Sequence, residues 1–128
     1  MASREQQLDI LLRQIVITVM VKRAVRSVTF SREEIAEFDG NTYWNRLLRI
    51  RDNDNGYSLD LVPIGETEDR CCHRMGHQLE KAIALLIGDA EVEITAADVA
   101  SAQAACVDLF INPKADGECV LRLEPHAG

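Results

Sequence analysis

The chain has 128 residues, 47% hydrophobic and 27% charged, a balance that excludes a disordered or low-complexity segment and suits one globular domain. Its formal charge of −7 sits in the second half: residues 1–64 hold nine basic and nine acidic side chains, residues 65–128 five and twelve. An acidic surface of that kind repels phosphate backbones, so nucleic acid is an unfavourable partner for the domain as a whole.

The elements follow in chain order. Residues 1–14 carry an amphipathic helix pattern: Ser3 and Gln6 resemble a capping box, and Leu8, Leu11, Leu12 and Ile15 form one stripe. From Ile15 to Val21 the β-branched run "IVITVMV" predicts a strand central in a sheet, and "AVRSVTF" continues as strand. Ser31 and Glu34 predict the cap of a short helix that ends at Asp39-Gly40-Asn41. Residues 43–62 read as a β-hairpin around Asp52–Gly56, with Leu48 and Ile50 on one face, Arg49 and Arg51 on the other, and Pro63 closing it.

A long helix is expected from Glu66 to about Ile87, with Cys72, Met75, Leu79, Ala82, Ile83 and Leu86 as its buried stripe and Gly88 after its end. Thr95 and Asp98 open a second helix that Asn112-Pro113 stops. The short connection predicts that the two pack antiparallel. A turn at Lys114–Glu118 and a final strand over 118–124 complete a single α+β domain (strand-rich over 15–63, helical over 66–111), with a small, mostly antiparallel sheet of four to five strands. Aromatics are scarce, so the core must be aliphatic.

Four cysteines (Cys71, Cys72, Cys106, Cys119) follow no signal-peptide pattern, which predicts a cytoplasmic, reducing setting with free or metal-bound thiols. The apolar run at 15–21 is too short to span a bilayer.

The densest chemistry lies in "EDRCCHRMGH", residues 68–77. On a helix His73 and His77 share a face with Asp69 and Glu80, and folding the helix pair about residue 91 brings Cys106 level with His77. Against a metal, Cys72 falls on the apolar stripe, about 100° round the helix from His73, and neither Cys-x-x-Cys nor His-Glu-x-x-His occurs. Cys71 lies near a helix N-terminus beside Arg70 and Arg74, but Glu68 and Asp69 offset them and no triad is recognisable. Arg49 and Arg51, with Lys22, Arg23 and Arg26 and the aromatics Tyr43, Trp44 and Tyr57, could form a basic sheet face for RNA, yet no RNP-like pattern appears. No phosphate-cradling loop is present either, since Ile64-Gly65-Glu66 would put an acid where phosphate sits.

The expectation is therefore a non-enzymatic protein without cofactor or resident metal. It should work as a protein-interaction domain, a self-associating subunit or an adaptor or inhibitor, because a small sheet leaves edges to pair and an isologous dimer is the simplest closure. Trp44, Arg49, Arg51 and Tyr57 are the expected contact residues, together with the acidic helical half. The competing readings are a metal- or thiol-dependent protein using His73, His77 and Cys106, and RNA binding through Arg49 and Arg51. Small size and sparse motifs also suit an inhibitor encoded by a phage or mobile element.

Overall fold

The computed structural model describes residues 3–40, 45–53, 56–63, 72–74 and 78–126. Helix α1 (Arg4–Lys22) opens with the expected capping box: Ser3 Oγ accepts from the Gln6 amide and Gln6 Oε1 accepts from the Ser3 amide. The helix does not stop at residue 14. It runs through the segment whose β-branched residues predict a strand, and tertiary packing is the reason. Leu12, Ile15, Val16, Val19 and Met20 recur on one helical stripe and each is at most 1% exposed. Helix-propensity differences of about 0.5 kcal/mol per residue are small beside the roughly 1.5–3 kcal/mol gained by burying each such side chain. Thr18 is buried as well and satisfies its hydroxyl by donating to the Gln14 carbonyl at 2.7 Å. A helix apolar on most sides belongs at the centre of a core, and α1 is that centre.

Strand β1 (Ser27–Phe30) leads to α2 (Arg32–Phe38), whose N-cap Ser31 accepts from the Glu34 amide. Strands β2 (Arg46–Asn53) and β3 (Gly56–Pro63) form the expected hairpin, with Leu48 opposite Leu61, Ile50 opposite Leu59 and Arg49 opposite Asp60. The long helix expected from Glu66 is not formed as such. Cys72–Arg74 is a strand, β4, lying antiparallel to β2 with His73 opposite Leu48, and helix α3 is Gln78–Ile87. The edge of β2 offers backbone groups that need partners, and residues 72–74 supply them. Gly88 then closes α3 with φ +60, the left-handed conformation that glycine takes without strain.

Strand β5 (Val92–Thr95) and α4 (Ala96–Ala104) follow, with the Thr95–Asp98 capping box complete. The Thr95 amide, aided by Lys22, holds the Asp98 carboxyl below its ordinary pKa. Helix α4 ends well before Asn112. Residues Val107–Pro113 form β6, which pairs along its length with β7 (Cys119–Pro125) across a turn held by Lys114 N–H to the Glu118 carbonyl at 2.7 Å. Leu109 is buried and Val107 and Ile111 are half-buried, whereas Phe110 and Asn112 are exposed; that is a strand alternation, although Cys106, Leu109 and Phe110 also fit a helical spacing.

The result is a small α+β domain with two antiparallel sheets in place of one: a three-stranded sheet in the order β1-β7-β6 and a four-stranded sheet in the order β4-β2-β3-β5. The expected helix pair is also revised. With β5 between them, α3 and α4 each pack on α1. One core cluster draws on α1, α3 and both sheets. Helix α1 also fastens its neighbours through its cations: Arg13 donates to the Leu109 carbonyl of β6 (3.4 Å), Lys22 to the Glu93 carbonyl of β5 (2.7 Å) and Arg23 to the Leu86 carbonyl of α3 (2.6 Å). Since β5 and β6 are edge strands, two of these bonds occupy edge acceptors that would otherwise invite another strand. No described helix is long and apolar enough to cross a membrane.

Candidate functional site at the flank of β6

The site begins where α4 ends. Ala105 is the C-cap, and Cys106 follows with φ +50, a left-handed conformation that a residue bearing a Cβ adopts at a cost of about 1 kcal/mol. That turn lets the Cys106 thiol donate to the Gln103 carbonyl at 3.7 Å, while the Cys106 carbonyl accepts from the His126 amide at 2.8 Å. The His126 ring lies back over β6, its Nδ1 3.0 Å from both carboxylate oxygens of Asp108. A carboxylate on Nδ1 orients an imidazole and leaves Nε2 as its outward nitrogen.

Cys106 and His126 both border a groove of about 490 Å³ between α1, α4 and β6. Its apolar lining comes from Ile10, Ile17, Ala102 and Val107. Ile10 is 63% exposed, and on the other side of β6 Phe110 is 44% exposed; these are the strongly exposed large apolar side chains among the described residues. The charges around them are matched locally. Arg13 pairs with Asp9 at 3.0 Å, and Arg122 pairs with Glu124 at 2.9 Å while its guanidinium sits 6.0 Å from the centre of the Phe110 ring. An apolar surface framed by neutralised charges suits contact with protein better than contact with phosphate.

The residues singled out from sequence do not converge. Arg49 and Arg51 share the face of the four-stranded sheet that points away from the core, where Arg49 makes a two-pronged contact with Asp60 (Nε to Oδ1 2.8 Å) and Arg51 is exposed opposite Ser58. Tyr57 lies on the opposite face, half-buried against the core. His73 is in β4, in a different sheet from the strand that Cys106 precedes. Trp44 and His77 lie outside the described residues. Among the described residues no three Cys, His, Asp or Glu side chains form a group able to hold a metal.

Ile10, Phe110, Asp108 and His126 escaped the sequence reading, though two of them left a trace. Ile10 falls off the Leu8, Leu11, Leu12, Ile15 stripe, and an apolar residue outside the stripe of an amphipathic helix is a candidate for exposure. Phe110 stands among the polar positions once β6 is read with a two-residue period. No protein-family model, curated protein or solved structure matches the chain, so its function is argued from this geometry alone.

Proposed function

We propose that the domain is a non-catalytic protein-interaction module that associates with a second copy of itself through the flank of β6. The observation that carries this reading is the placement of both strongly exposed apolar side chains, Ile10 and Phe110, on either side of that strand. The α1 seam supports the choice of partner. Ile10, Arg13, Gln14 and Ile17 read apolar–polar–polar–apolar in both directions, so two antiparallel copies of α1 about a two-fold axis would set Ile10 of each against Ile17 of the other. Pairing of sheet edges, the reason first expected for association, has less support, because Arg13 and Lys22 already occupy carbonyls on β6 and β5.

Light scattering over a micromolar to high-micromolar range tests the reading. The wild type should rise to twice the monomer mass and Ile10→Asp should stay monomeric. Raising the salt should strengthen association, because it screens the repulsion between two copies of charge −7. A wild type that remains monomeric throughout overturns the reading.

A further inference from the structure

We draw no further inference here: the strongest candidate, the apolar cleft between α3 and the β6–β7 turn, carries nothing because its lysines Lys81 and Lys114 are ion-paired with Asp39 and Glu118 and nothing in the structure shows what covers it.

Discussion

The two sheets are built to the same antiparallel plan and treat their outer faces in opposite ways. On the four-stranded sheet, the face away from the core holds Leu47 and Val62 at only 4% and 7% exposure, and the Arg49 and Asp60 side chains paired across the hairpin are 19% and 22% exposed. On the three-stranded sheet, the outward positions of β6 leave Phe110 nearly half exposed and Asn112 in solvent. The first sheet is covered on its outer face from Leu47 and Val62 to the Arg49–Asp60 pair and open only beyond it at Arg51, so most of its side chains are committed to holding the fold. The second is enclosed on one, and its free face with the neighbouring groove is where the proposed partner would sit. Substitutions on the first should therefore cost stability, and substitutions on the second should cost association.

The largest effect is expected at Gly56, in the hairpin beside β5. A Cβ placed there would lie 1.8 Å from the Ile94 carbonyl oxygen, and backbone cannot yield as a flexible side chain would. Gly56→Ala should lower unfolding free energy in urea by at least about 3 kcal/mol. An unchanged midpoint would mean that β5 is not seated on the hairpin and that the four-stranded sheet is not the enclosed unit described.

Glu80 gives the next largest effect. It lies on α3, which packs on β3, is 5% exposed and has a carboxylate oxygen without a hydrogen-bond partner. Burial raises its pKa from an ordinary 4.5 to about 7. Below 4.5 the residue is protonated in both folded and unfolded chains. Above that value the unfolded chain ionises first, so stability falls as pH rises, until the folded protein also ionises near pH 7. At about 1.4 kcal/mol per pKa unit the loss is at most roughly 3.5 kcal/mol. Glu80→Gln should recover about 1–3 kcal/mol above neutrality and flatten the decline; a wild-type stability that rises over that interval would contradict the burial.

Arg49 and Asp60 come third. A double-mutant cycle with Arg49→Ala and Asp60→Ala should return about 1–2 kcal/mol of coupling, more than an exposed pair gives because both side chains are mostly buried. Coupling near zero would open the outer face of the four-stranded sheet and erase its contrast with the other sheet.

The legible parts of the fold are those fixed by local chemistry. The caps at Ser3, Ser31 and Thr95, the hairpin around residues 52–56, the turn at Asp116-Gly117 and the left-handed Gly88 each depend on a few neighbouring residues. The parts misread are those decided at a distance. Ile15–Val21 has the residue types of a strand and becomes a helix because three elements pack around it. Cys72–Arg74 looks helical and becomes a strand because β2 has an edge to fill. Residues 107–111 fit both periods, and only the presence of β7 selects the strand. The candidate site was hidden for the same reason: Cys106 precedes a strand rather than lying on a helix, and His126, remote in sequence, is joined to it through the β6–β7 pairing.

The smallest expected effect on stability is the sharpest test of the comparison, because it sets adjacent residues of one strand against each other. Leu109 points inward and is 7% exposed; Phe110 points outward, with the Arg122 guanidinium over its ring at 6.0 Å. Leu109→Ala should lose about 2–5 kcal/mol through the cavity it leaves. Phe110→Ser removes a larger side chain, but one left 44% exposed, so it should cost about 1–2 kcal/mol, the covered part of the ring plus a cation–π contact. Its unfolding midpoint should fall by less than that of Leu109→Ala while its self-association weakens. A Phe110→Ser loss as large as that of Leu109→Ala would show that the outer face of the three-stranded sheet is covered within the chain. The same loss would remove the basis for treating the two sheets as scaffold and contact surface.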